Sequence, residues 1–117
     1  MNLTPNSVVS QLAELGRALD KGVEALEKAE IEAVNAREDY TLALSKAFLR
    51  AEGAMDFRKH KAIEQTHAER LAAETAEAVV RGLRRQIDSI KTRIDIGRSV
   101  GVALRAEIDL SGSRHGS

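Results

Sequence analysis

Apolar or small residues recur at steps of three and four from Val8 to Ile108, and the only proline stands at position 5. Val8, Leu12, Leu15, Leu19, Gly22, Leu26, Ala29, Ala33, Ala36, Tyr40 and Ala43 make a first run. Ala73, Ala76, Val80, Leu83, Ile87, Ile90, Ile94, Gly97, Gly101, Leu104 and Ile108 make a second. A strand repeats every two residues and a helix every 3.6, so both runs are helical. The second keeps its alternation of three and four for about five heptads, which is the pattern of a coiled-coil seam. A chain of 117 residues patterned this way is all-α and about the size of one domain.

Local signals set the expected boundaries. Thr4 with Asn6 and Ser7 offers capping groups, and Pro5 suits a first helical turn. Gly16 and Gly22 each cost about 1 kcal/mol against Ala but do not end a helix. Gly53 reads as a stop and Asp56 as the N-cap of the second helix. The expectation is one domain over 1–110: a helix over about 5–52, a turn at 53–56 and a helix over about 57–109, paired antiparallel. Residues 111–117 are small and polar and are expected to be a disordered tail.

Such a hairpin, roughly 65–70 Å long, has one seam and no enclosed core. An Ala-rich seam removes too little apolar area from water to offset the cost of ordering the backbone. Ile63, Val79, Ile96, Val100 and Val102 lie beside the seam and require a further partner. The pattern therefore predicts a homo-oligomeric helical bundle. Its assembly seam is assigned to Leu83, Ile87, Ile90, Ile94, Gly97, Gly101 and Leu104. Gly97 and Gly101 either admit a close neighbouring backbone or mark a bend.

Charge is where function enters. Lys and Arg total 18 against 18 Asp and Glu, a formal zero. The sum hides a division: residues 1–53 carry a balance of −3 and residues 54–117 one of +3. Between 81 and 105 seven cations face only Asp88 and Asp95. Arg84, Lys91, Arg98 and Arg105 succeed one another by sevens, a linear track along one helix face. Such a track either lies along a phosphate backbone or pairs with Glu on a neighbouring helix.

A second cluster brackets the turn: Lys46, Arg50, Arg58, Lys59, His60 and Lys61. Cations suit the end of the first helix, which accounts for Lys46 and Arg50. They do not suit the start of the second, so Arg58, Lys59 and Lys61 imply a partner anion. Repeated around an oligomer, this turn becomes a multivalent basic surface. Phe48 and Phe57 flank it, and either stack on bases or pack the turn.

Catalytic inventory is thin. With no Cys the chain has no thiol nucleophile, disulfide or cysteine zinc site. Neither a G-x-S-x-G nucleophile setting nor a phosphate-binding G-x-x-x-x-G-K-[ST] loop occurs. The expectation is a protein that is not an enzyme and needs no cofactor. Glu64-x-x-His67, with Glu32 on the first helix, offers a ferritin-like metal site as a lesser alternative. No run approaches the roughly 20 apolar residues of a membrane span, and Met1–Pro5 lacks a secretory leader's features. A cytoplasmic location is the expectation.

Around the turn, Lys46-Ala47-Phe48-Leu49-Arg50-Ala51-Glu52-Gly53 and then Arg58-Lys59-x-Lys61-Ala62 resemble a pattern of small helical phage proteins. Leu83-x-x-x-Ile87-x-x-Ile90-x-x-Arg93 and Ser99-x-x-x-x-Leu104-Arg105-Ala106-Glu107 also fit it. Over residues 40–108 the chain is similar to the UvsY-type recombination mediators of tailed phages. The resemblance implies a helical oligomer that binds single-stranded DNA and helps load a recombinase in place of single-strand-binding protein. It implies DNA contact by Lys46. With the basic positions of the turn and the track, the DNA-binding set is Lys46, Arg50, Arg58, Lys59, Lys61, Arg84 and Lys91. The alternative is a coiled-coil adaptor or scaffold without nucleic-acid binding, which needs the seams alone.

Overall fold

In the computed structural model, which describes residues 3–115, three helices succeed one another. They are α1 (Pro5–Arg50), α2 (Met55–Gln65) and α3 (His67–His115). No strand occurs among the described residues. The start of α1 is held by a reciprocal cap. Ser7 N donates to Thr4 Oγ1 at 3.1 Å, and Thr4 N donates to Ser7 Oγ at 2.9 Å, so two backbone donors at the helix start find acceptors. Pro5 occupies the first helical position.

Contacts group the chain into two units, one of residues up to Glu24 with those from Arg85 onward, the other Ala25–Arg84. In the first unit α1 and α3 pack in opposite senses. A Cβ at Gly101 would meet Val8, one at Gly97 would meet Leu12, and one at Gly22 would meet Ile87. Helix α3 runs unbroken through Gly97 and Gly101, and what faces these glycines is the side chains of Leu12 and Val8 rather than a neighbouring backbone. In the second unit Ala29, Ala33 and Val80 form a buried cluster, flanked by Leu26, Ala76 and Leu83.

Every residue of the first run, Val8 to Ala43, is buried or half-buried, and so is the second run through Leu104. Ile108 departs from the pattern and is exposed. Val8 already stands beside Gly101, and α1 begins at Pro5, so α3 has outrun its partner helix by residue 108.

Three expectations need correction. The second helix does not run unbroken over 57–109: Thr66 separates α2 from α3. The Thr66 hydroxyl donates to Ala62 O at 2.7 Å, competing with the backbone ladder, and its backbone leaves helical values at φ −111, ψ 18. Helical bonding resumes at once, with Arg70 N donating to Thr66 O at 3.0 Å. Asp56 is not the N-cap of α2. Ala54 holds that position without a side-chain cap, and Asp56 sits in the first turn, where its charge complements the helix dipole. The segment expected to be disordered is helical over 111–115, since α3 runs to His115 and Gly112 keeps a helical backbone. Gly116 and Ser117 lie outside the described residues.

The seam assigned to self-assembly also has a different use. Ile87 and Ile90 are buried, and Leu83, Ile94, Gly97, Gly101 and Leu104 are half-buried. Where contacts identify the partner it is α1 of the same chain. Five of these seven positions keep part of their surface in water.

Two helical glycines have open space at Cβ. Nothing lies within 4 Å of the position at Gly16 or Gly82. The double variant Gly16→Ala/Gly82→Ala is expected to gain about 1.5 kcal/mol in urea unfolding, from helix propensity alone. Gly97→Ala is expected to fall short of a single such gain, because its Cβ would stand 2.8 Å from Leu12 Cδ2 and Leu12 must turn aside.

Candidate nucleic-acid interface

The end of α1 and the start of α2 are joined through Gly53, whose φ of 111° is the left-handed backbone that favours glycine. Arg58 fastens the joint. Its Nη2 donates to Phe48 O at 3.1 Å, a carbonyl in the last turn of α1 that also accepts from Ala51 N at 3.3 Å, and its guanidinium lies 4.5 Å from the centroid of the Phe48 ring. Arg58 and Phe48 are both half-buried. Of the cations predicted to bind DNA, this one acts as a clasp within the chain. The charge pattern at the helix start could not separate a clasp from a phosphate ligand.

Lys46, Arg50, Lys59 and Lys61 are exposed. None has a carboxylate within ion-pair distance among the described residues. Lys46 and Arg50 line a shallow groove of about 510 Å³ whose wall also holds Asp39, Gln65 and Glu69. Lys59 and Lys61 stand on α2, which also carries Asp56 and Glu64. Apolar side chains share this end of the unit: Leu49 is 73% exposed, and Met55 and Phe57 are each 58% exposed. Leu49 and Met55 fall outside the set predicted from sequence. Their apolar type at a turn flanked by cations is the signal that marks them.

The basic track along α3 divides. Arg84 pairs with Glu30 at 3.5 Å within the second unit, as expected for a charge beside a seam. Lys91 and Arg98, in the first unit, are exposed without a carboxylate partner among the described residues, and Arg105 Nε donates to Gly101 O at 3.4 Å. Seam pairing therefore accounts for Arg84 and leaves Lys91 and Arg98 free.

The fullest ion pair of the second unit is Arg37 with Glu77. Arg37 Nε donates to Glu77 Oε2 at 3.0 Å and its Nη2 to Oε1, a two-pronged contact between α1 and α3. Tyr40 lies beside the same guanidinium at 5.5 Å. The hydrogen bond from Arg37 holds the Glu77 carboxyl below its ordinary range against the opposing effect of desolvation, and the Arg37 guanidinium is raised in turn. A carboxyl lowered in the folded state stabilises above the unfolded value of about 4.3 and loses that contribution as pH falls through its folded value. Melting monitored by circular dichroism is therefore expected to place Glu77→Gln below the parent at pH 7 and to bring the two together as pH falls below the ordinary carboxylate range.

The metal reading meets two obstacles. Glu64 belongs to α2 and His67 to α3, with the Thr66 break between them, so their spacing no longer sets them on one regular helix face. His67 Nδ1 lies 3.1 Å from Arg70 Nη2. Among the described residues no group of three or more His, Asp or Glu gathers as a metal ion requires. Nor is any described helix long and apolar enough to cross a membrane. Compared with known proteins, the chain matches no family model, no curated protein and no solved structure.

Proposed function

We propose that this protein is a non-enzymatic, sequence-tolerant binder of single-stranded DNA. In this reading it acts as a recombination mediator, loading a phage recombinase where single-strand-binding protein stands, in the host cytoplasm. The observation that carries the proposal is the exposure of Lys46, Arg50, Lys59 and Lys61 around one turn, with no carboxylate within ion-pair distance among the described residues. Unpaired cations crowded together repel one another, and a polyanion removes that repulsion while releasing its own counterions. Lys91 adds a further free cation in the first unit. Arg58 and Arg84 drop to supporting roles, since each already has a partner within the chain.

In the same proposal the long helices form one antiparallel hairpin and hairpins assemble into a homo-oligomer. The opposed order of contacts within each unit supports the hairpin. Apolar residues left in water offer contacts for that assembly: Ile31, Val34, Ile63 and Val79 in the second unit, and Ile96 and Val102 in the first, all between 48% and 64% exposed. Several weak basic turns held in one particle bind a single strand far more tightly than one turn alone.

A coiled-coil scaffold is the second reading, favoured by the Arg84–Glu30 pair, which uses one cation of the track for helix pairing. A native gel at low salt separates the two. The mediator retards oligo-dT and the scaffold does not, while light scattering reports an oligomer in either case.

A further inference from the structure

The two phenylalanines of the turn have different surroundings. Phe48 is half-buried beneath the Arg58 guanidinium, which lies 4.5 Å from its centroid. Phe57 stands on the first turn of α2 and is 58% exposed. The ring is not loose: a Cβ at Gly53 would come within 3.2 Å of Phe57 Cδ1, so the left-handed turn backs one edge. Lys61, one turn further along α2, places Nζ 5.9 Å from the ring centroid. An exposed ring backed at one edge, with one ammonium group in cation–π reach that has no carboxylate within ion-pair distance among the described residues, presents an apolar face and a positive charge side by side. It suits a ligand that offers a flat π-face and a negative charge a few ångströms apart. A nucleotide has that form: the base stacks while the phosphate meets a cation.

We infer that Phe57 is a stacking platform for a base of the bound strand, with Lys61 taking an adjoining phosphate. The inference rests on the single-strand reading and deepens it. Binding by cations alone responds to phosphates whatever they carry, whereas a platform makes the base itself part of the ligand. Stacking is tolerant of sequence, since every base has a π-face, so the protein distinguishes strands with accessible bases from paired duplex without reading their order. Asp56 and Glu64, the carboxylates on α2, oppose phosphate binding and leave the neutral base face unaffected. The strand therefore seats with its base toward Phe57 and a phosphate toward Lys61.

The test compares oligo-dT with an abasic phosphodiester of equal length and charge, each labelled and titrated with the full chain. Parent protein is expected to prefer oligo-dT by roughly tenfold. Phe57→Leu, which keeps an apolar side chain and loses the π-face, is expected to bind both polymers with the affinity the parent shows for the abasic one. Its helical circular dichroism is expected to match the parent, because the residue is largely exposed. Equal parental affinity for the two polymers overturns the platform and leaves the single-strand reading standing. A preference that survives Phe57→Leu likewise overturns it. Absence of binding to either polymer removes both together. Should binding instead be found only to phosphatidylserine vesicles, and fall in Phe57→Leu, the exposed ring is an anchor for a lipid surface and the platform is wrong.

Discussion

Replacing Lys46, Arg50, Lys59 and Lys61 together by Ala is expected to lower affinity for oligo-dT by about three to four orders of magnitude at low salt while leaving the fold intact. All four side chains are exposed and none has a carboxylate partner among the described residues, so their loss removes no ion pair described within the chain. Each phosphate neutralised on a single strand contributes about 0.7 to the slope of log affinity against log salt, so four lost contacts flatten that slope by about 2.8. Carried from molar salt, where the parent and the variant converge, down to about 50 mM, that difference in slope gives the expected loss. Anisotropy titrations give the affinity, and circular dichroism checks the helices. Arg58→Ala is the contrasting variant. It removes the clasp on Phe48 O and the stack on the Phe48 ring, so it is expected to lower thermal stability as well as binding.

The largest effect on stability is expected at Val80. It is buried with Ala29 and Ala33, and five of the nine buried apolar residues described are alanines, so the interior has little area in reserve. Val80→Asp places an unpaired carboxylate there, at a cost of about 3–5 kcal/mol. That is a large part of the total stability of a domain of this size. Most of the helical signal is expected to be lost at 25 °C and pH 7. Val80→Ala, which deletes two methyl groups and buries no charge, is expected to cost about 1–2 kcal/mol and remain folded. Urea titrations of the two variants beside the parent measure the difference.

The helical character and the seam were legible in the sequence because spacing alone specifies them. Steps of three and four admit one secondary structure, and the positions so marked are withdrawn from water from Val8 to Leu104. The ends were less legible. Ile108 continues the period, yet the period says nothing of where the partner helix stops, and α1 stops first. Thr66 has a buried, seam-like position, and its break arises from a hydroxyl that bonds back to Ala62 O, a choice invisible to a hydrophobic pattern.

At the candidate site, the clustering of charge could be read and its allocation could not. Arg58, Lys59 and Lys61 are equivalent as cations near a helix start. Only the position of the Phe48 carbonyl and ring makes one of them a clasp and leaves the others free. The seven-residue spacing of Arg84 and Lys91 likewise conceals that the first pairs with Glu30 and that the second has no carboxylate partner among the described residues. Phe48 and Phe57 look alike as residues flanking a basic turn. Burial separates them: one ring packs the joint and the other faces water.

Single-strand binding through the basic turn stands or falls on the affinity of the parent chain for oligo-dT, measured by anisotropy between 50 and 200 mM salt. Binding is expected at the lower salt and should weaken by about fiftyfold or more across the range, the minimum for four phosphate contacts. No binding at 50 mM, or an affinity indifferent to salt, would be incompatible with a strand held by these cations.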